Sequence, residues 1–541
     1  MSLRQLSEYG PAPEHSLHYS RHLADAPLPQ EMIQLGTDPN CTIFEKDTIG
    51  VCPQLYFFIS LSIIGKGTTM LLSSNGIAVT SFAAPEVWSA LVQVFIIALA
   101  ILAGNILRRK VKILRRSLIP SALLGGLIIL LLKIWADFNG MIDKKFMETV
   151  TYHALALGFI AMSLRPSKET DRANTRTVID TGTLTIATYI IQGIFGLLIT
   201  IPMFLWWRNP AAGNDIFYSG GLLLPMGYGQ GPGQALNFGT IYQLGAADQD
   251  IVFHGIDFGL SIAAIGFLVG SVVGVVYMNI LNRKKKLTIH ENVSESRHTL
   301  KDYEQENELP HSESVDKLTI VVSIVLLTYF LVYLLMSGIG KLELGNFGEK
   351  TLKPLVYGFN FFWGILFGSL VKIVIRGLRK RGWMTREYLN EFLLNRVSGF
   401  SFDIMIVAGT AAISFENLRS IWLPLTLVCI FGALATFLYV RWVSFRIYPD
   451  YKYEGFFSMF GMLTGTASNG MILLREIDPR YQTPAANNLV LQNIPAMIMG
   501  FPVLLLLGFA PKSLQATMIT LGVLIALFAV ATLFLFRKRK K

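Results

Sequence analysis

The sequence predicts an all-α polytopic membrane protein made of two inverted halves, each carrying a re-entrant hairpin. Of its 541 residues, 52% are hydrophobic and 15% are charged. Apolar runs of membrane-spanning length recur from about residue 53 to residue 536, and two glycine-rich polar stretches interrupt them at matching places. An ordinary soluble domain does not have this composition or these runs.

Twelve apolar segments are candidates for transmembrane helices. A hydrocarbon core about 30 Å thick needs about 20 helical residues, so the shortest segments, 150–164 and 401–414, are marginal. The segments fall at roughly 53–74, 87–107, 117–135, 150–164, 181–207, 257–281, 317–338, 355–375, 401–414, 420–441, 486–508 and 512–536.

The net charge of +11 comes from clusters of Lys and Arg that abut apolar runs, such as 108–116, 282–286 and 537–541. This is the positive-inside pattern of cytoplasmic loops rather than a nucleic-acid surface, with anionic lipid headgroups as secondary partners. Placing the clusters inside predicts a multi-pass protein of the cell (inner) membrane with both termini in the cytoplasm. The first 50 residues lack the features of a signal peptide.

The topology repeats with reversed direction after a charged cytoplasmic linker. Matching short or Gly/Pro-interrupted segments in two inverted halves point to the binding site of a transporter. The predicted organisation is an extension 1–50, an extra helix and loop 51–86, a first repeat 87–281 with hairpin 216–240, the linker 282–316, a second repeat 317–511 with hairpin 455–475, and a final helix and basic tail 512–541.

The stretch PMGYGQGPGQALNFG (225–239) is the clearest break in the first half. Isolated glycines such as Gly270 and Gly274 are explained by close helix packing. A run of glycines around Pro232 instead breaks a helix. Non-helical backbone at membrane depth must be buried in protein or line an aqueous cavity. The second break is GMLTGTASNGM (461–471).

Freed backbone groups at such breaks attract ions, and the neighbouring side chains supply neutral oxygen and nitrogen atoms. Sodium, like other hard cations, prefers oxygen ligands. We therefore expect the two hairpin tips to form one midplane site. The expected substrate-binding residues are Gly229, Gln230, Gly231, Gln234, Asn237, Thr464, Thr466, Ser468 and Asn469, and the expected sodium ligands are Thr464, Thr466, Ser468 and Asp403.

Two long stretches carry a resemblance to a known family. GGLLLPMGYGQGPGQALNFGTIY (220–242) and GFFSMFGMLTGTASNGMILLREIDPRYQTPAANNLVLQN (455–493) resemble the two hairpin regions of the sodium/glutamate symporter family. HALALGFIAMSL (153–164) and FDIMIVAGTAAISFENLRSIWLPLTLV (402–428) are similar to its paired short segments. The resemblance covers about residues 87–510.

The resemblance implies a homodimeric secondary transporter with a dimer scaffold and a mobile transport domain. It also implies an elevator-like movement, with sodium and substrate held between the hairpin tips and no other cofactor. Better-known members carry Gly-Gly-His-Gly-Thr in the first hairpin, where this chain reads GYGQGPGQA. The family's use of hairpins therefore carries over more directly than its substrate does.

Ionisable groups near the apolar runs have competing interpretations. Asp403 either contacts an ion or substrate or satisfies free amides at a helix start. Asp257 is expected to cap its own helix and to interact with the helix dipole. His153 is expected to be a packed or interfacial residue rather than a proton carrier. Arg475 either pairs a substrate carboxylate or marks the cytoplasmic interface. The polar residues Asn487, Asn488, Gln492 and Asn493 are expected to support the second hairpin.

These features favour sodium-coupled symport of glutamate or a related small anionic substrate. Proton coupling through Asp403 or His153 is the alternative, and a passive channel is a further one because glycine-rich re-entrant loops also form selectivity filters. The chain has no HExxH or GxSxG motif and no paired intramembrane carboxylates, so an enzyme is not expected.

Overall fold

A computed structural model describes residues 85–135, 141–166, 175–210, 215–284, 314–343, 345, 348, 353–384, 388–478 and 483–537. Regular secondary structure in these ranges is helical, as the sequence predicts. The predicted extension 1–50, the predicted helix 53–74 and most of the linker 282–316 lie outside the described residues.

The described residues of the first half contain eight helices, and two of them flank a sharp break at residue 231. They are α1 Pro85–Lys110, α2 Lys112–Arg116, α3 Ser121–Trp135, α4 Lys144–Leu164, α5 Thr175–Trp206, α6 Leu223–Gln230, α7 Pro232–Ala247 and α8 Gly255–Arg283. A single 3-10 turn, Gly220–Leu222, precedes α6.

Ten more lie in the described residues of the second half and the chain's last helix. They are α9 Ser314–Gly340, α10 Lys353–Gly358, α11 Asn360–Lys380, α12 Glu391–Ala411, α13 Phe415–Ile447, α14 Lys452–Leu463, α15 Ala467–Ile477, α16 Ala485–Leu491, α17 Asn493–Phe509 and α18 Leu514–Leu535. A 3-10 turn, Ala510–Lys512, joins α17 to α18.

Among the described residues, nine helices are long and apolar enough to cross a membrane, which identifies a multi-pass membrane protein. The sequence predicts twelve transmembrane segments, and the remaining three are accounted for as follows. Segment 53–74 lies outside the described residues. Segment 117–135 is the 15-residue helix α3, which spans only about 22 Å at 1.5 Å per residue. Segment 150–164 belongs to α4, whose first turns are polar.

The two segments expected to be short, 150–164 and 401–414, belong to helices of 21 residues each. Both helices begin before the apolar run, and each has an N-cap. Asp143 accepts hydrogen bonds from the backbone amides of Lys145 and Phe146, and Asn390 accepts one from Leu393. Capping stabilises a polar first turn that hydropathy does not detect.

The most extensive helix packing among the described residues is that of α4 against α12. Helix α3 packs on α12, and α11 packs on α4. Helix α5 crosses α13, and α8 contacts the helices on both sides of each break, namely α6, α7, α14 and α15. All of these contacts lie within the single compact unit Ser89–Lys541.

Candidate functional site

The first break in helical structure is at Gly231. Helix α6 ends at Gln230 and α7 begins at Pro232, with Gly231 between them at φ 80° and ψ −173°. This left-handed conformation favours glycine, and proline suits the first position of a helix, where its missing N–H is not needed. Residues 215–239 are buried except for the half-buried Gln230. The stretch is therefore not a surface loop.

The second break separates α14, which ends at Leu463, from α15, which begins at Ala467. Thr466 is extended and its hydroxyl has no partner among the described residues. The backbone amides of Ala467 and Ser468 also have no described acceptor. The break thus offers several hydrogen-bond donors at the start of a helix.

The two breaks touch each other. A Cβ atom built on Gly231 would stand 3.1 Å from Thr466 Cγ2 and 3.9 Å from both the Gly465 carbonyl oxygen and Met405 Cε of α12. Any side chain at residue 231 would therefore crowd the second break. The two breaks in helical structure are therefore adjacent in space.

A cavity of about 200 Å³ lies beside the second break. Two residues of opposite charge line it, Arg108 of α1 and Asp403 of α12. Neither forms a hydrogen bond or an ion pair with another described residue. The rest of the lining is Pro120, Ser121, Phe267, Ile406, Thr466, Ser468 and Ile472.

Five of the expected site residues lie at the cavity or carry unpartnered polar atoms close to the breaks. Thr466, Ser468 and Asp403 line the cavity. Gln234 is fully buried, and neither atom of its amide has a described partner. Asn469 is 1% exposed, and its Nδ2 is likewise unpartnered. Such buried polar atoms are costly unless a ligand satisfies them.

The other expected site residues make contacts within the protein. The amide of Asn237 donates to the Gly358 carbonyl at 2.7 Å, and the Gly229 carbonyl accepts from the Tyr189 hydroxyl at 3.1 Å. Thr464 donates to the Phe460 carbonyl at 2.7 Å and is absent from the cavity lining. Gln230 is half-buried at the end of α6. Of the four predicted sodium ligands, Asp403, Thr466 and Ser468 line the cavity, whereas Thr464 does not.

Sequence reasoning missed three contributors to this region. Arg108 belongs to a basic cluster interpreted only as a topology signal, yet it lines the cavity. Tyr189 and Gln192 lie within the apolar run of α5, which was interpreted only as a transmembrane segment. Gln192 is fully buried and donates to Thr436 Oγ1 at 2.8 Å and to the Leu463 carbonyl at 3.0 Å. A glutamine within an apolar membrane run is the signal that could have found it.

One expectation about polar residues agrees with the contacts. Gln492 accepts from Thr185 Oγ1 at 2.9 Å, and its Nε2 lies 3.3 Å from Met462 Sδ in α14, so it supports the helix before the second break. His153 is exposed, and its Nδ1 lies 2.6 Å from the Tyr329 hydroxyl, so its expected role stays a prediction. Arg475 is exposed in the last turn of α15 and is absent from the cavity lining.

Asp257 lies in the first turn of α8, where the helix dipole favours a carboxylate, but the expectation that it also caps this helix is wrong. Helix α8 has no side-chain cap. Asp257, 2% exposed, accepts instead from Lys144 Nζ at 2.9 Å, the Ser414 amide at 2.8 Å and Asn417 Nδ2 at 2.7 Å. It joins the starts of α4, α8 and α13, which are far apart in the sequence.

Comparison with known proteins gives one family. The family model described as sodium/glutamate symporter matches residues 88–473, which is more than half of the chain. The match spans both breaks and the whole cavity lining. No curated protein matches the chain.

Proposed function

Because this chain belongs to the sodium/glutamate symporter family, we propose that it is a secondary active transporter that couples sodium to the uptake of glutamate or a related small anionic substrate. The family is one of transporters and not of enzymes. The observation that carries the proposal is the contact of the two helix breaks at Gly231 and Thr466, beside a cavity lined by Arg108 and Asp403.

Two lysines in matching positions support the inverted repeat. Lys133 donates to the carbonyls of Ala411 and Ile413, at the end of α12, at 3.0 and 3.1 Å. Lys372 donates to the carbonyl of Arg165, just past the end of α4, at 3.3 Å. Each lysine is the thirteenth residue of its helix, counting 121 to 133 in α3 and 360 to 372 in α11. A cation at the carboxyl end of a helix is favourable.

The burial of both breaks supports re-entrant hairpins. Irregular backbone in a membrane must be covered by protein or line a cavity. The first break is enclosed by neighbouring helices, and the second lines the cavity. We propose that the two hairpins enter from opposite sides and that their tips hold the substrate between them.

The donors at the second break suit a carboxylate. The free amides of Ala467 and Ser468 begin α15, where the helix dipole is positive, and Arg108 lies across the same cavity. Arg108 also belongs to the basic cluster 108–116, which the positive-inside pattern assigns to the cytoplasm. We therefore propose that the cavity is the access route from the cytoplasm, with Thr466 and Ser468 contacting the substrate.

Transport by an elevator-like movement requires a fixed part and a moving part. Helices α1 and α9 are among the four least buried of the described spans, with 22% of their most apolar 18 residues buried, against 17% in α11 and α18. We propose that they belong to the scaffold, which contacts lipid and a second copy in a homodimer. The hairpins and α8 would move together, since α8 packs on both.

Proton coupling is the second candidate, and one observation favours it. Asp403 has no ion partner and borders the cavity, and an ionisable group at bilayer depth is a functional candidate by default. Protonation would neutralise it in the way that a bound sodium ion would. The two coupling ions are distinguished by the gradient that drives uptake.

Uptake into proteoliposomes tests the proposal. We expect labelled glutamate, or another amino or dicarboxylic acid from a panel, to accumulate above its outside concentration when an inward sodium gradient is imposed. Choline in place of sodium is the control, and a pH gradient without sodium tests proton coupling. Equilibration without accumulation would indicate a channel, and no uptake of any panel member would refute the substrate class. Gln234→Ala should reduce uptake without unfolding the protein.

A further inference from the structure

Arg441, Arg446 and Lys452 are exposed cations where α13 connects to α14, and they form what we call the basic patch. The guanidinium carbon of Arg441 stands 5.0 Å from the ring centre of Phe445, and Lys452 Nζ stands 5.8 Å from the same centre. The guanidinium carbon of Arg446 stands 4.5 Å from the ring centre of Phe536, just after α18. A cation is attracted to an aromatic ring at such distances, so the rings hold the three charges near one another.

Most donors of the basic patch are unused within the described part of the chain. Arg441 Nε donates to the Tyr277 hydroxyl at 2.8 Å, and the two terminal nitrogens of Arg441 have no acceptor among the described residues. Arg446 and Lys452 form no hydrogen bond or ion pair there, and the exposed Asp450 pairs with neither. Two guanidinium groups and one ammonium group are thus available to an oxyanion, and guanidinium geometry suits phosphate.

The basic patch lies at the level where α13 leaves the hydrocarbon. Trp422 and Trp442 are exposed near the two ends of α13 and are 20 residues apart, counting from 422 to 442. That spacing is about 30 Å at 1.5 Å per residue, the thickness of a hydrocarbon core. Tryptophan is enriched at both boundaries of that core. Trp442 directly follows Arg441, so the patch stands at the depth of lipid headgroups.

Two neighbouring basic clusters assign the patch to the cytoplasmic side. Tyr277, the partner of Arg441, lies in the last two turns of α8, just before the cluster 282–286. Phe536, the partner of Arg446, immediately precedes the cluster 537–541. The positive-inside pattern places both clusters in the cytoplasm.

An apolar face of α13 leads away from the patch. Ile430, Leu434 and Leu438 follow one another at intervals of four residues and are each more than half exposed. Leu438 precedes Arg441 by three residues and Trp442 by four, which places all three on one side of the helix. Acyl chains of a lipid whose headgroup lay at the patch would pack along this face.

We propose that the basic patch binds the phosphate of an anionic phospholipid in the cytoplasmic leaflet. The inference rests on the multi-pass membrane fold and is independent of the substrate and of the coupling ion. Lysines and arginines beside a membrane commonly attract anionic lipid without fixing its position. Here three cations are held by two rings, their donors are available, and an apolar face continues into the bilayer. A soluble anion would leave that face without a partner.

The position of the patch connects the lipid to the second break. Arg441 and Arg446 belong to α13, whereas Lys452 is the first residue of α14, the helix that ends at the second break. A phosphate bound by all three residues would hold α14 against α13 at its start. The other end of α14 would keep its freedom to respond to substrate.

A lipid titration of the purified full-length protein in detergent tests the site without transport. Dioleoylphosphatidylglycerol should raise the melting temperature more than phosphatidylcholine with the same chains, because a ligand that binds only the folded state stabilises it. In the double variant Arg446→Gln and Lys452→Gln, the phosphatidylglycerol concentration for half-maximal stabilisation should rise at least about tenfold, since charged hydrogen bonds to phosphate are lost. The melting temperature without added lipid reports whether the variant folds.

The matched control is the double variant Lys380→Gln and Arg381→Gln. Both residues are exposed cations at the end of α11, and neither contacts a ring among the described residues. The control titration should follow the wild type.

Three results would overturn the proposal. The first is an unchanged titration in the patch variant, or a shift of the same size in the control, which would indicate surface charge alone. The second is equal stabilisation of the wild type by the two lipids. The third is stabilisation by glycerol phosphate as strong as that by phosphatidylglycerol, which would assign the patch to a soluble anion. Sodium-driven uptake is measured separately, so the proposed function stands or falls independently of these results.

Discussion

Gln192 donates its amide to the carbonyl of Leu463 at 3.0 Å, across the gap between α5 and the second break. The same amide donates to Thr436 Oγ1 of α13 at 2.8 Å. One side chain thus joins the crossing of two long helices to the residue where α14 ends. Hydrogen bonds between membrane helices contribute about 0.6 kcal/mol on average and up to about 1.7 kcal/mol.

Gln192→Leu removes both of these hydrogen bonds by replacing the amide with an apolar side chain of similar size. We expect the protein to lose roughly 1–2 kcal/mol of stability and to transport more slowly, because the second break loses one anchor. Thr188→Val on the same helix is the control, since its hydroxyl bonds only to the Leu184 carbonyl of its own helix. Equal melting temperatures and rates for both variants would contradict this role.

Arg108→Ala removes the positive charge of the cavity. We expect KM for the anionic substrate to rise at least about tenfold, since a hydrogen bond to a charged group is worth about 1.5–3 kcal/mol. Arg109→Ala changes an exposed neighbour in the same basic cluster and should leave KM unchanged. Initial uptake rates over a range of substrate concentrations measure both. A KM that rises equally in the two variants would indicate a general surface-charge effect instead.

Gly231→Ala places a Cβ in a left-handed conformation and 3.1 Å from Thr466 Cγ2. Strain of this kind costs about 1–3 kcal/mol, so the variant should be less stable and take up little substrate. Gly522→Ala is the control, because nothing lies within 4 Å of its Cβ position in α18. That change should raise the melting temperature slightly through helix propensity. A fully active Gly231→Ala protein would show that the two tips need not touch.

Lys133→Met and Lys372→Met test the repeat. Each removes a cation from the end of a central helix while keeping a long apolar side chain. If the two halves are equivalent, each variant should lower the free energy of unfolding by about 0.5–2 kcal/mol. Both variants should therefore melt at a lower temperature than the wild type. Lys380→Met, at the exposed end of α11, should have little effect. A loss confined to Lys133→Met would argue against matching roles.

The sequence predicted the breaks better than it predicted the helices around them. Gly231 and Pro232 carry a local conformational signal, and the predicted ranges 216–240 and 455–475 contain both observed breaks. The starts of α4 and α12 were missed because hydropathy reports apolar surface, whereas a polar first turn is held by its cap. Asp143 and Asn390 are residue types that favour the N-cap position, so both caps could have been predicted from the sequence.

The composition of the site was less predictable for a different reason. Arg108 and Gln192 become part of it only through contacts across more than a hundred residues of chain. No spacing rule relates such positions. Asn237 illustrates the converse, since a polar residue at the right place in a hairpin is used to hold the Gly358 carbonyl.

If sodium and substrate are held where the two breaks meet, the net charge at that place determines how transport depends on membrane voltage. Two helices end there, at Gln230 and Leu463, and two begin, at Pro232 and Ala467. Their partial charges of opposite sign largely cancel. When the site holds one sodium ion and one singly charged anion, its load carries no net charge across the bilayer. Every further sodium ion would then draw about 2.3 kcal/mol per 100 mV from the membrane potential.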